Sequence, residues 1–378
     1  MRATIAVVGL LACFVGTAIV KAQQPAAAPA PLSDQVFKNV QVMKGIPVDQ
    51  FMATMGFFSA SLGMSCEDCH MADDRDWSGF AADNARKRRA RQMIQMMQKI
   101  NADNFGGRQM VTCYSCHRGQ DAPRTIPDFA IQYGPLQPAD PNAIVAQAPL
   151  SPMPDAVFDK YLQAVGGAQK AASLTGYTAT GTNVGYGPES VDKRPSEIYA
   201  KASPLQRTTI VRTSNGPTTT TLNGASAWYA APLRPVDVLT LAGQELAGAK
   251  IDAMLFFPSL VKSIAPRWRV GVPTTIDDQD VDVVQGNTPD GIVVTLYFDQ
   301  KTGLLARSIR YTDSPVGKLP VQVDYSDYRD VNGVKMPFKY TQTGLDGRDT
   351  FELTQIRANQ NIEASRFAKP APVAPPKK

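Results

Sequence analysis

The chain contains two histidines, His70 and His117, and each stands directly behind a Cys-x-x-Cys. The first closes "MSCEDCH" and the second lies in "VTCYSCHRG". Of the five cysteines, Cys13 falls in the N-terminal apolar run, and Cys66, Cys69, Cys113 and Cys116 make up the two motifs. A disulfide framework is one use for four cysteines in an exported chain, and a zinc site is another. Neither explains why a histidine follows each pair and occurs nowhere else. Cys-x-x-Cys-His is the attachment signature of c-type haem. Two thiols add across the haem vinyl groups, and the adjoining histidine turns its ring onto the iron as proximal ligand. The residues therefore predict two covalently bound c-type haems. The four cysteines form the thioethers, and His70 and His117 bind the iron.

The N-terminus sets the compartment. Arg2 precedes an apolar run over residues 5–20, and "VKA" offers small residues for cleavage before Gln23, so residues 1–22 are expected to be a cleaved signal peptide. The alternatives are an uncleaved N-terminal anchor, which would hold the protein at a membrane, and a lipoprotein signal ending at Cys13. All three place the remainder in the periplasm or on the outer face of the cell envelope. At 378 residues, 43% hydrophobic and 19% charged, the chain suits two domains with real cores. A net charge of +5 gives no ground for a nucleic-acid partner.

The chain divides by composition. Residues 23–33 are Pro/Ala-rich and predict a tether. Residues 34–127 carry helical patterning. Pro47 and Asp49 open an apolar run closed by Gly63, and Asp83 or Asn84 opens a second helix reaching to about Asn101, before "FGG". Residues 128–154 are proline-rich and predict a linker, or a strap over the first domain. From residue 155 to 368 a capped helix, "DAVFDKYLQAVGG", leads into period-two segments with turn residues, and Asn332-Gly333 is the strongest hairpin signal. Residues 242–262 are expected to be helices packed on the sheet, and residues 369–378 a disordered tail.

With both histidines used as proximal ligands, this chain cannot supply bis-histidine ligation. The sixth positions fall to methionine, to a weaker ligand, or to none. Met52, Met55 and Met64 precede the first motif, and Met93, Met96 and Met97 the second. Most such methionines serve as core, but one per haem would raise its potential. The run "RRARQMIQMMQKINADNFGGRQMVTCYSCHRGQ" resembles the tetrahaem cytochrome subunit of photosynthetic reaction centres, and "SASLGMSCEDCH" is similar to that family's helix–turn–motif unit. The resemblance covers about residues 36–127. It implies axial methionines on the helix before each motif, hence Met55 and Met93, with Met52 and Met96 as the nearest competitors. The family has four haems and a special histidine ligand, whereas this chain has two motifs and no spare histidine. The resemblance is thus to a dihaem relative.

The basic run "ARKRRAR" is expected to be a solvated helix face, or else to pair with haem propionates or an acidic redox partner. The last third, "YFDQKTGLLARSIRY" and "VDYSDYRDVNGVKMPFKY", weakly resembles the curved sheets of Lol-type lipoprotein carriers. The fold class expected is multidomain α + β: an α-helical dihaem cytochrome c module followed by an antiparallel, half-barrel-like sheet with packed helices. The function expected is electron transfer, not enzymatic catalysis, with a redox protein or a membrane electron-transfer complex as partner. The alternatives are a dihaem peroxidase, or a lipid- or lipoprotein-binding β-domain with haem as sensor.

Overall fold

The computed structural model describes residues 30–71, 77–134, 144, 152–185, 192–232, 234–345 and 347–371. The expected signal peptide, most of the tether, the middle of the linker and most of the tail lie outside the described residues. Among the described residues no helix is long and apolar enough to cross a membrane.

The first region is helical. Short α1 (Ser33–Val36) precedes α2 (Val48–Leu62), which starts after Pro47 and stops at Gly63 in the left-handed conformation (φ 64°). One-turn α3 (Cys66–Cys69) carries the first motif. After a 3-10 turn at Trp77–Ala81 comes α4 (Ala85–Phe105), capped by the Asn84 side chain accepting from Lys87 N. It runs four residues past the expected end, up to the glycine pair that stops it. Then follow α5 (Cys113–His117), which carries the second motif, and α6 (Phe129–Gln132).

The second region is a large, open, curved antiparallel sheet. Helices α7 (Pro154–Ala164) and α8 (Ala168–Ser173) lead into β1 (Gly176–Gly185), β2 (Arg194–Ala202), β3 (Leu205–Thr213), β4 (Gly216–Asn223), β5 (Ser226–Ala230) and β6 (Val238–Leu241). Helix α9 (Gly243–Met254) and a 3-10 helix at Pro258–Ile264 form the expected helical stretch. The chain then returns through β7 (Trp268–Val270), β8 (Thr274–Ile276), β9 (Gln279–Asn287), β10 (Val293–Asp299), β11 (Leu305–Ser314), β12 (Gly317–Val331), β13 (Val334–Thr343) and β14 (Arg348–Ala358). The Asn332–Gly333 turn has φ of 54° and 84°, as a two-residue hairpin with that pair requires. Two meanders join where β14 pairs antiparallel with β1, from Tyr177 opposite Ala358 to Gly185 opposite Asp349. Helices α7 and α9 and the Pro258–Ile264 turn bury Phe158, Ile251, Leu255 and Phe257 against Val294, Leu296, Met336 and Tyr340 of one sheet face.

The helical region is seated on the sheet at the β11–β12 turn. Phe57 of α2 and Met97 of α4 share a core with Val316 and Leu319. Gln50 Nε2 donates to Asp313 O at 3.0 Å and Gln109 Nε2 to Ser314 O at 3.1 Å. The Asp49 carboxylate accepts from the backbone N–H of Ala242, the N-cap of α9, at 2.6 Å.

Candidate functional site

The first motif is built on one helical turn. Asp68 accepts from the Ser65 backbone N–H at 2.8 Å and from its hydroxyl at 3.0 Å, closing the N-terminus of α3. Cys66 and Cys69, three residues apart, share one side of that turn. His70 leaves the helix in extended conformation (φ −115°, ψ 131°), so its side chain departs from the cysteine helix while its N–H still bonds Cys66 O at 2.9 Å. The His70 ring stacks on Phe80 at 4.5 Å, and Trp77 meets Phe80 edge-on at 4.6 Å. Its Nδ1 lies 3.1 Å from Phe80 O. A carbonyl can only accept, so Nδ1 carries the proton and Nε2 holds the lone pair available to a metal. Asn84 Nδ2 donates to Cys69 O at 2.9 Å, and Arg86 to Asp68 O at 2.9 Å.

The second motif repeats this plan with different supports. Thr112 caps α5, accepting from Ser115 N, and the Ser115 hydroxyl accepts in return from Thr112 N at 3.0 Å. Upstream, buried Asn101 accepts from Met110 N at 3.1 Å and Val111 N at 2.9 Å, and donates to Val111 O at 2.8 Å. One side chain thus fixes the extended segment that delivers Cys113. His117 Nδ1 lies 3.0 Å from Gln120 O, so this ring too presents Nε2. Beyond it, Gly119 N donates to Ser61 O at 2.9 Å, which ties the second motif to the helix that precedes the first. Gly63 permits that crossing, because a Cβ there would lie 2.3 Å from Gly119 O.

The four thiols are free, and among the described residues no three His, Cys, Asp or Glu side chains are gathered to hold a metal ion. Burial pushes the Cys113 thiol up to about 11 and raises Cys69 as well. Neither is the low-pKa thiolate of a thiol–disulfide exchange motif. Burial, helped by the Lys87 charge, lowers the His70 pKa, which favours the neutral ligand form of the ring. Cys116 opens onto a cleft of about 630 Å³ whose other wall is the segment from Pro123 to Gln132, with Ile126 and Ile131 among its lining. A covalently held haem fits this donor set: two thiols on one helical side, a histidine with a fixed tautomer, and, at the second motif, an open cleft of mixed polar and apolar lining beside the thiol.

Met55 is half-buried on α2 and Met93 half-buried on α4. Met52 is half-buried as well, Met96 is 47% exposed, and Met97 is buried in the core shared with the sheet. The basic run is largely engaged: Arg86 with Asp68, Arg88 and Arg91 with Asp83, and Lys87 with two backbone carbonyls.

Residues 11–182 match the family model of the photosynthetic reaction centre cytochrome C subunit. Among curated proteins, the reaction centre cytochrome c subunit of Rubrivivax gelatinosus is 32% identical over 116 residues, 28% of this chain and 30% of that protein. The corresponding subunit of Roseobacter denitrificans is 33% identical over 103 residues, 25% of this chain and 27% of that protein. The chain therefore spans less than a third of the length of these relatives. Among solved structures, a LolA superfamily protein from Nitrosomonas europaea aligns over 58% of this chain and 99% of its own, with a TM-score of 0.38 and 13% identity. A DUF1329 family protein from Desulfovibrio piger covers 57% of this chain and 96% of its own, at TM-score 0.39 and 10% identity. The resemblance read from the motifs is met by the family model and by these relatives.

The motif residues are legible in the sequence; their supports are less so. Phe80 O, Gln120 O and the Gly63–Gly119 crossing carry no signature, because backbone acceptors and close approaches depend on tertiary placement. Asn101 could have been singled out: an asparagine near a helix end, before "FGG", is a residue type that bonds backbone readily.

Proposed function

We propose that this protein is a dihaem c-type cytochrome of the cell envelope, passing single electrons between a redox protein and a membrane electron-transfer complex. The observation that supports this best is the repeated unit. Twice, a one-turn helix bears two thiols, a histidine stands directly after the second, and that histidine's Nδ1–H donates to a backbone carbonyl. When bound, the haem iron supplies the one-electron chemistry. Cys66 and Cys69 hold the first group and Cys113 and Cys116 the second, while His70 and His117 offer Nε2. Met55 and Met93 are the proposed sixth ligands, with Met52 and Met96 the competitors. Methionine coordination favours reduced iron and raises the potential, which suits a carrier. The sheet is proposed as a rigid seat for the helices and as surface for a partner.

The test is production of the full chain in a host that matures c-type cytochromes. Intact mass should show two haems, and the Cys113→Ala/Cys116→Ala variant one. The oxidised protein should show the near-infrared band of methionine bound to iron. Met55→Ala and Met93→Ala should each lower one potential and leave the other in place. If only the competitors Met52 or Met96 do so, the ligand assignment moves. Absence of the band at both sites together with peroxide turnover would replace the carrier by a peroxidase.

A further inference from the structure

The two histidines share one design, but their acceptors differ. Phe80 O receives two donors, His70 Nδ1–H at 3.1 Å and Lys87 Nζ at 2.5 Å. Lys87 also donates to Ala82 O at 2.8 Å. The nearby acid, Asp83, is committed to Arg91 at 2.7 Å and Arg88 at 3.6 Å, so among the described residues Lys87 bonds neutral carbonyls and no carboxylate. Gln120 O receives His117 Nδ1–H at 3.0 Å, and among the described residues no cation bonds it.

We propose that Lys87 is a positioning residue that raises the reduction potential of the haem attached at Cys66 and Cys69 and so makes the two haem sites unequal. This rests on the dihaem reading. Two effects act in the same direction. A carbonyl already polarised by an ammonium is a weaker acceptor, so it draws less on the His70 N–H, and the imidazole becomes a poorer donor to oxidised iron. The ammonium charge itself, half-buried and, among the described residues, hydrogen-bonded to no carboxylate, disfavours the more positive oxidised state. At the second site no cation among the described residues bonds the histidine's acceptor, so the first effect is absent there; of the two cations lining the cleft beside Cys116, Arg118 and Arg124, the latter is paired with Asp128. Helix α4 carries Lys87 into this position, which gives one member of the basic run a role distinct from its ion-paired neighbours.

The experiment is a redox titration of the full, haem-loaded chain with Lys87→Gln, Lys87→Met and Lys87→Arg. Glutamine retains a donor and removes the charge, methionine removes both, and arginine restores the charge. Single-haem chains carrying Cys113→Ala/Cys116→Ala identify which haem responds. Lys87→Gln should shift the reduction equilibrium of the first haem at least tenfold toward oxidation, about 59 mV for one electron. The second haem should stay in place, and Lys87→Arg should recover most of the native value. Unchanged potentials, a shift in both haems together, or an upward shift in any charge-removing variant would overturn the assignment. Should Lys87→Met not load haem, Lys87→Gln alone decides. Failure of the underlying reading is distinguishable, because a native chain whose mass lacks haem refutes it before any lysine is changed.

Discussion

Replacing Gly317 with alanine asks whether the helical region and the sheet behave as one cooperative body. Gly317 opens β12 without a left-handed backbone, so alanine meets no conformational obstacle there. By unfolded-state entropy alone the change should stabilise by about 0.4–1 kcal/mol. The packing opposes it. A Cβ at 317 would stand 2.2 Å from Phe57 Cζ and 2.3 Å from Cε2, whereas carbon atoms settle at about 3.5–4.0 Å. The ring would have to retreat by more than about 1 Å. It has little room, being 7% exposed and packed with Met97, Val316 and Leu319. Overpacking of this kind costs about 1–3 kcal/mol, so the net expectation is a loss of about 1–2 kcal/mol. Urea unfolding should show a lower midpoint at unchanged slope. The decisive arm is a double-mutant cycle. Phe57→Ala removes the clash, so Gly317→Ala in that background should cost nothing, giving a coupling of at least about 1 kcal/mol. Additive effects, or a neutral Gly317→Ala, would refute the reasoning and separate the two regions energetically.

Two further outcomes follow from the supports of the motifs. Asn101→Ala strands the Val111 carbonyl and two backbone donors. It should cost about 2–3 kcal/mol in chemical unfolding, and Asn101→Asp, which keeps the acceptor alone, should fall between. Asp49 should impose a pH dependence on the seat between α2 and α9. Burial raises its carboxyl above the usual 3.8, against hydrogen bonds from Ala242 and Gln50, and its Oδ1 is buried with no partner among the described residues. The native state then holds this proton more tightly than the unfolded chain, so its contribution to stability falls as pH rises from 3.8 through the raised value and is flat above it. Unfolding free energies of native protein and Asp49→Asn across that window should diverge with rising pH in favour of the variant; a constant difference would remove Asp49 as the cause.

Much of the local plan is written in the chain. Pro47, Gly63, Asn84 and the glycine pair after Phe105 bound α2 and α4 because caps act through neighbouring backbone. Asn332-Gly333 sets its hairpin for the same reason. What could not be read is non-local. Pairing of β14 with β1 joins segments at opposite ends of the second region, and a strand carries no mark of a distant partner. The seat at the β11–β12 turn was hidden more deeply: Phe57 and Met97 look like ordinary core residues of a helical domain, yet half of their core, Val316 and Leu319, belongs to the sheet.

That shared core bears on the chemistry. Val111 and Cys113 pack on the same cluster as Val316 and Leu319, so the sheet forms part of the apolar surroundings of the second motif. Apolar surroundings keep water from a redox centre and hold its potential up. The first motif takes its support from α4 and the Trp77–Ala81 turn instead, through Asn84, Arg86 and Lys87. One motif is thus supported by hydrophobic packing from the sheet and the other by polar and cationic groups of its own helical region. On the proposed dihaem reading, a change confined to the β11–β12 turn, such as Val316→Ala, should therefore move the second haem's potential downward and leave the first unchanged. Equal movement of both haems in a redox titration would mean that the two environments are not separate, and that the sheet acts on the helical region as a whole.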